Sequence, residues 1–428
     1  MSSPAPGGML DALYAFFSHA RLARVVSTGA LSTVFLGPGI RALIGWPGYA
    51  GILATEVVVM ALILVTRRRS VRFTRLMPLS LAVFLVWTLA SVTWTSFLPQ
   101  TIAGLVLQWG LTFLAIGVAA TRDSMQIIRT VGSVLRVTLG LSLGLEILSG
   151  IVVRAPFSVW GISGGVALGE PIQGVAGSRN ALATLALVGL VTFAIELRTR
   201  SISRRVGVFS LIGGSIVLLL TQSPVGYIGA VALGIMTGLI YLLRHMTDTV
   251  RRGSQIAVAV LAIVALAFSW VFRAPLIIIF SAQGTMLYRV ELWQRLWTLI
   301  QAKPLTGWGY VGAWPQRSGV FGYINMGESH AHANALNAYL DTLFQVGIIG
   351  FAVLAAVVGI ALVRTWLLAT TRKSAVFAWA PLILMTLLVT SLLESTLFTE
   401  WAWMLLVLIA TRASHELSWR RASRNKRT

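Results

Sequence analysis

Long apolar runs, separated by short polar segments, make up most of the chain. Runs of roughly 20 apolar residues have the length that crosses a bilayer as an α-helix. We predict twelve transmembrane helices, at about residues 26–44, 47–66, 76–96, 100–120, 128–153, 180–197, 206–221, 225–243, 255–275, 346–363, 376–393 and 399–411. The pattern therefore predicts an all-α polytopic membrane protein.

The segment between the ninth and tenth predicted spans interrupts this pattern. Residues 276–345 are rich in ionisable and aromatic side chains, and we predict a large extracytoplasmic loop domain there. Arg289, Trp293 and Trp297 recur at i, i+4 and i+8, so they share one face of a helix. Such a helix lies at the membrane interface with its tryptophans toward the lipid headgroups. The loop domain is thus predicted to carry interfacial helices.

Basic residues set the predicted orientation. Most of the 34 lysines and arginines fall in alternate connections, and this bias marks the cytoplasmic side of a membrane protein. Both termini are then cytoplasmic. The predicted division is a cytoplasmic N-terminal segment at 1–25, nine spans at 26–275, the loop domain at 276–345, three spans at 346–411 and a basic cytoplasmic tail at 412–428.

The composition supports a membrane protein and limits the kinds of partner that we expect. The chain is 57% hydrophobic and 11% charged, whereas a soluble domain is typically about 25% charged. The net charge of +21 is explained by the cytoplasmic connections, where basic side chains attract anionic lipid. We therefore expect membrane lipids, and no nucleic acid, as partners. The absence of cysteine excludes disulfides and thiolate metal sites.

Polar residues at helix mouths on the predicted extracytoplasmic side are candidates for binding an anion. Arg179 and Asn180 follow a glycine-rich loop and open the sixth span, where free helix amides favour an anion. Gln222 lies between the seventh and eighth spans on the same side, and Arg289 lies in the loop domain. Each has an ordinary alternative, because boundary arginines reach toward lipid phosphate and Gln222 can belong to a simple turn.

Two of the five histidines, His330 and His332, lie in the loop domain. Residues two apart do not share a helix face, so we expect no metal site there. A histidine exchanges protons near neutral pH, so either is a candidate base; the alternative is a hydrogen-bonded surface histidine. Glu291 is a second candidate base, or a group that orients an arginine. Tyr310 could stack on a sugar or line a lipid path.

Four stretches resemble a known family in their order and spacing. They are GSRNALATLAL (177–187), LLTQSPVGYIG (219–229), YRVELWQRLWTLIQAKPLTGWGY (288–310) and SHAHANALNAYLDTLFQVGIIG (329–350). Together they resemble the O-antigen ligase, O-antigen polymerase and exopolysaccharide polymerase superfamily of bacterial membrane glycosyltransferases. The resemblance covers roughly residues 170–370.

This resemblance implies transfer of a glycan from a polyprenyl-diphosphate carrier to an acceptor hydroxyl on a glycan or lipid. It implies an inverting reaction at the extracytoplasmic face of the bacterial plasma membrane, without a metal, another cofactor or a nucleotide sugar. Arg179 and Arg289 match the arginines that hold the diphosphate. His332, or His330, matches the histidine of the late loop. Asn180, Gln222 and Tyr310 join the predicted substrate site.

The chain departs from the family pattern at two positions. Leu336 stands before Asn337, where the family usually has its histidine, and Gln345 stands where a glutamate is common. His332 lies four residues before Leu336, which is about one helical turn. We expect a helix that begins near Asn334, one turn early, to keep the histidine close to the site.

Two other functions stay open at this point. A transporter or flippase would keep ionisable residues near the middle of the membrane, and the candidates are Arg136, Glu56, Glu146 and Glu394. A structural partner in a glycan-assembly complex would need neither the arginines nor the histidines. Within the glycosyltransferase hypothesis, ligase and polymerase differ only in the acceptor, which these residues do not identify.

Overall fold

A computed structural model of the chain describes residues 9–68, 77–271, 285–315, 319–325 and 332–424. Within these ranges the regular structure is helical, apart from one isolated bridge between Phe157 and Ile162. The first part of the chain forms α1 (Met9–Ser18), α2 (Ala20–Phe35), α3 (Gly37–Thr66), α4 (Leu79–Ala90), α5 (Leu98–Thr121), α6 (Ser124–Ile147, extended by a π-helical turn at Leu148–Val153), α7 (Arg179–Arg198), α8 (Arg204–Leu220), α9 (Pro224–His245) and α10 (Asp248–Val271).

The second part contains the predicted loop domain and the last spans. Its helices are α11 (Thr285–Ala302), α12 (Gly319–Ile324), α13 (Ala338–Thr371), α14 (Val376–Thr390) and α15 (Glu400–Arg424). The predicted helix around Arg289 and Trp293 is α11. The predicted boundary at 345–346 falls inside α13, while the one at 275–276 lies outside the described residues.

The helical class is confirmed, but the count of twelve spans is not. Among the residues that the structure describes, six helices are long and apolar enough to cross a membrane, namely α3, α5, α6 with its extension, α7, α9 and α13. α4 and α14 are apolar but shorter. The predicted span 26–44 is divided at Leu36, because α2 ends there and the Gly37-Pro38-Gly39 segment begins α3. Glycine and proline at a helix start fix this break.

The helix at the centre of the bundle is the last one, α15. Residues 401–411 are buried on every side, as expected for a helix that is apolar all round. The Trp403 indole N–H donates to the Thr112 hydroxyl of α5 over 3.0 Å. The rings of Phe35 and Trp401 lie 5.7 Å apart between α2 and α15. The bundle therefore packs around its C-terminal helix.

Three helices begin with side-chain caps at one end of the bundle. Ser178 accepts a hydrogen bond from the Ala181 amide at the start of α7, over 3.1 Å. Ser223 accepts one from the Gly226 amide at the start of α9, also over 3.1 Å. Asn337 caps α13 in the same way. Capping of this kind satisfies the free amides of the first turn, so these polar residues determine where each helix starts.

The connections gather at two opposite ends of the bundle. At the end that carries the three caps, the Ile172 amide donates to the Leu220 carbonyl over 3.1 Å. At the other end, Arg412 donates to the Ser124 hydroxyl over 3.1 Å. The segments predicted to be extracytoplasmic thus meet one another, and so do those predicted to be cytoplasmic.

A kink in α13 brings the loop after α11 against the bundle. Gly347 has φ +67°, and a Cβ atom there would overlap the Leu305 carbonyl oxygen. The break frees backbone groups of α13, and the loop satisfies them: the Trp308 amide donates to Phe344 O over 3.0 Å, and the Ile348 amide donates to Pro304 O over 2.9 Å. Glycine is required because the backbone is left-handed and crowded.

We expect Gly347→Ala to destabilise the protein by more than about 1–3 kcal/mol, the usual cost of a strained backbone residue, because the carbonyl overlap adds to the strain. Thermal unfolding of the purified protein in detergent measures the change. Gly359→Ala on the same helix is the control, because a Cβ there meets no atom within 4 Å. Equal melting temperatures for the two variants would contradict this account of the kink.

Candidate functional site

The Arg289 side chain joins three parts of the chain at the capped end of the bundle. Its Nη1 donates to the Leu336 carbonyl over 3.2 Å and to the Leu393 carbonyl, and its Nη2 donates to Glu394 Oε1 over 3.0 Å. Only 13% of the side chain is exposed. Arg289 therefore ties α11 to the segment before α13 and to the connection between α14 and α15.

The same carboxylate oxygen also holds α7. The Asn180 amide donates to Glu394 Oε1 over 2.6 Å, and its own oxygen accepts a hydrogen bond from the Ser223 hydroxyl over 2.7 Å. Asn180 directly follows Arg179, the first residue of α7. The fold thus brings the start of α7, which carries Arg179, to the Arg289 side chain, since Asn180 and Arg289 bond to the same oxygen atom.

The electrostatics of this site favour an anion. Arg179 is half-buried and makes no hydrogen bond to the residues that the structure describes. Arg289 pairs with the Glu394 carboxylate, and Arg179 adds a second positive charge next to Asn180 at the start of α7, so these three ionisable residues carry a net positive charge. The first turn of α7 adds the positive end of a helix dipole. A phosphate group bound here would meet charge-assisted donors.

His332 lies beside this site, and Tyr288 holds its ring. The Tyr288 hydroxyl lies 2.9 Å from His332 Nδ1, and the two rings are 4.8 Å apart. The His332 amide donates to Asn325 Oδ1 over 2.7 Å. Only 5% of His332 is exposed. Tyr288 directly precedes Arg289, so α11 positions both the imidazole and the guanidinium.

The expected early start of the helix after His332 is wrong. α13 begins at Ala338, with Asn337 as its cap. Leu336 has φ +49°, and its amide donates to Asn334 Oδ1 over 2.9 Å. This asparagine turn competes with a helix, and the histidine is kept near the site by Tyr288 instead.

The remaining predicted site residues occupy different surroundings. Glu291 is exposed on α11, and His330 lies outside the described residues. Gln222 has φ +47° and donates to the Gly169 carbonyl over 2.7 Å, so it holds the glycine-rich loop. Its neighbour Ser223, which the sequence analysis did not select, is the residue that contacts Asn180.

Tyr310 is 6% exposed and packs in the core, with its ring 6.2 Å from that of Phe398. Burial, together with the carboxylates of Asp341 and Glu400, raises the pKa of Tyr310 above its ordinary value. The phenol is therefore neutral at physiological pH. Its backbone amide donates to the Ser91 hydroxyl over 3.1 Å, which anchors the loop after α11.

A fully buried carboxylate, Asp341, binds the two chain segments that hold Arg289. Its Oδ1 accepts hydrogen bonds from the Trp314 indole over 3.0 Å and from the Gln345 amide over 2.7 Å. Its Oδ2 accepts from the Ser395 hydroxyl over 2.7 Å and from the Ala335 amide over 3.3 Å. Ala335 and Ser395 adjoin the two segments that hold Arg289. Asp341 therefore positions both of them.

The hydrogen bonds of Gln345 show why an amide suits this position, where the resemblance leads us to expect a glutamate. Its Oε1 accepts hydrogen bonds from the amides of Val311 and Gly312, both over 2.9 Å. Its Nε2 donates to Asp341 Oδ1. A glutamate here would place a second carboxylate against Asp341, and only an amide both accepts from the loop and donates to the acid.

The ionisable residues that could have indicated transport have partners inside the bundle. Arg136 donates to Glu196 and, over 2.8 Å, to the Ser210 hydroxyl. Glu146 accepts from two amides of the glycine-rich loop. Glu56 accepts from Thr33 over 2.8 Å. These contacts join helices and loops, whereas Glu394 alone of the earlier candidates lies in the arginine site.

Comparison with known proteins supports the resemblance seen in the sequence. Residues 209–355 match a family described as O-antigen ligase. The matched stretch contains Gln222, Arg289 and His332, while Arg179 and Glu394 lie outside it. No curated protein matches the chain. This match supports the predicted family over residues 209–355.

We expect Asp341→Asn to destabilise the protein, because all four groups around the carboxylate act as donors and the new NH2 group would face the two donors of one oxygen. An unsatisfied buried polar group costs roughly 1–3 kcal/mol. Thermal unfolding in detergent measures the change. Asp248→Asn is the control, since that side chain is 80% exposed and a surface ion pair contributes about 0–1 kcal/mol. A melting temperature as high as that of the control would contradict the role proposed for Asp341 in holding the site.

Proposed function

We propose that this chain, whose residues 209–355 belong to the O-antigen ligase family, is a membrane glycosyltransferase acting on a polyprenyl-diphosphate-linked glycan. It would transfer the glycan to a hydroxyl of a second glycan or lipid. The observation that carries this proposal is the hydrogen bonding of Asn180 and Arg289 to one oxygen of Glu394, since it unites the two arginine-bearing helices.

The two arginines are suited to different parts of diphosphate binding. Arg179 has its guanidinium uncommitted among the described residues, so it can bind phosphate without first breaking an internal contact. Arg289 is fixed by three acceptors and keeps N–H groups that these acceptors do not use. When the glycosidic bond breaks, negative charge develops on the diphosphate, and prepositioned donors stabilise it.

In this proposal the arginines neutralise the leaving group, and no metal, cofactor or nucleotide sugar takes part. The acceptor oxygen attacks the anomeric carbon from the side opposite the diphosphate, which inverts the configuration. His332 is the side chain that the sequence offers for activating the acceptor hydroxyl, and His330 and Glu291 are the alternatives. The bias of lysine and arginine supports the extracytoplasmic side as the location of the site.

We expect Arg179→Ala to lower the rate of glycan transfer by about 10²–10³-fold, the typical effect of removing one donor from a developing oxyanion. The melting temperature should change little, because Arg179 makes no hydrogen bond to the described part of the chain. Arg289→Ala should lose activity at least as strongly and should also lose stability, since three acceptors lose their donor. Transfer from a purified lipid-linked glycan, measured in detergent, tests both variants.

Arg205→Ala is the matched control, because Arg205 is exposed at the opposite end of the bundle. Wild-type transfer rates in both site variants would overturn the proposed role of the arginines, and the absence of any transfer by the wild-type protein would overturn the proposed function. Accumulation of substrate in sealed vesicles, without covalent change, would replace it with transport. A ladder of product lengths from the lipid-linked unit alone would identify a polymerase, whereas a requirement for a second acceptor would identify a ligase.

A further inference from the structure

The Glu394 carboxylate lies at the centre of the site, and the reaction as described above gives it no chemical role. Its Oε1 accepts the hydrogen bonds of Asn180 and Arg289. Its Oε2 makes no hydrogen bond to the described residues, and it is not among the buried polar atoms that lack a partner. The side chain is 18% exposed. One oxygen is thus fixed, and the other is open to a substrate.

The backbone around Glu394 is held on both sides. The Glu394 carbonyl accepts from the Ala338 amide over 3.2 Å, and the Leu392 carbonyl accepts from the Asn337 side chain over 2.9 Å. Ser395 donates to the buried Asp341. A group fixed in this way loses little entropy when it reacts, which is the main advantage of a positioned base.

His332 is less suited to accept the proton directly. Only 5% of it is exposed, and its Nδ1 lies 2.9 Å from the Tyr288 hydroxyl. A general base must come within hydrogen-bond reach of the acceptor hydroxyl. Of the groups in the site, the Glu394 Oε2 atom meets this requirement with the least rearrangement.

Arg289 also sets the distance between the Glu394 carboxylate and the diphosphate leaving group. In inverting glycosidases the base and the acid lie roughly 6.5–9.5 Å apart, which leaves room for the nucleophile. A guanidinium that binds a carboxylate oxygen at 3.0 Å on one side and a phosphate on its other side separates the two by a similar distance. The guanidinium itself occupies the direct line between them, so the sugar and the acceptor oxygen would lie beside it, between the carboxylate and the phosphate.

We propose, on the basis of the proposed function, that Glu394 is the general base of the transfer. Its Oε2 takes the proton of the acceptor hydroxyl while the acceptor oxygen bonds to the anomeric carbon. The bond from that carbon to the diphosphate oxygen breaks, and its electron pair leaves with the polyprenyl diphosphate. Glu394 then returns the proton to water. The charged groups connected to it are Arg289 on α11, by direct pairing, and Asp341 on α13, through the neighbouring Ser395; Arg179 precedes its partner Asn180 at the start of α7.

Glu394→Gln tests this role, because glutamine keeps an oxygen for Asn180 and Arg289 but offers no base. We expect kcat to fall by about 10²–10⁴-fold, the usual contribution of a general base, while the KM for the lipid-linked donor changes little. The acid limb of the kcat/KM profile should disappear. Glu394→Asp keeps a carboxylate base on a shorter side chain, so it should retain an acid limb with a displaced midpoint, at a reduced rate.

Glu400→Gln is the matched control. Glu400 is the first residue of α15, directly after the connection that carries Glu394, and pairs with Arg41, so its loss should leave the acid limb in place. His332→Gln should also keep that limb, whatever its rate. Loss of the limb in His332→Gln and its survival in Glu394→Gln would overturn the proposal in favour of the imidazole.

A purely structural role for Glu394 has its own signature. In that case Glu394→Gln would raise the KM or lower the melting temperature while the acid limb persisted, and the proposal would be wrong. Failure of the proposed function would be distinct, because the wild-type protein would then transfer no glycan at any pH. If Glu394→Gln does not fold, the pH profile of Glu394→Asp against wild type gives the same decision: an altered acid limb supports the base, and an unchanged one overturns it.

Discussion

A largely buried arginine must have acceptors for its charge, and the site of this protein is arranged around that requirement. Arg289 finds its acceptors in two peptide carbonyls and one carboxylate, which come from the segment before α13 and from the connection between α14 and α15. A buried cation without these partners would be strongly unfavourable. The three chain segments therefore have to assemble together, and Glu394 joins α7 to them through Asn180.

A second layer of polar contacts fixes the peptides that Arg289 uses. Asp341 binds Ala335 and Ser395, the neighbours of Leu336 and Glu394. Gln345 continues the network to the loop after α11. Because the side chains of Asp341, Gln345 and Ser395 in this layer all have hydrogen-bond partners, the layer can hold the site in one arrangement rather than several. The packed interior, rather than a surface loop, therefore fixes the orientation of the Arg289 guanidinium.

The sequence predicted the elements better than it predicted their contacts. Apolar runs located most of the helices, whereas the caps Ser178, Ser223 and Asn337, which obey ordinary capping chemistry, were recognised only in the structure. The break at Leu336 was missed, since a left-handed residue leaves little trace in composition. Glu394 was noticed only as an intramembrane charge. Its contacts with Asn180 and Arg289 span 214 and 105 residues, and no local pattern encodes such pairings.

The position of α15 has a consequence for how the protein is made. Among the helices that the structure describes, α15 follows α2, α5 and α13 in the chain and packs between them, so these three helices are synthesised before the element around which they pack. Until α15 packs, their inner faces contact lipid or one another. Packing of α15 also brings the connection before it, with Glu394, into place. The contacts of Glu394 with Asn180 and Arg289 therefore form late in folding, together with the centre of the bundle.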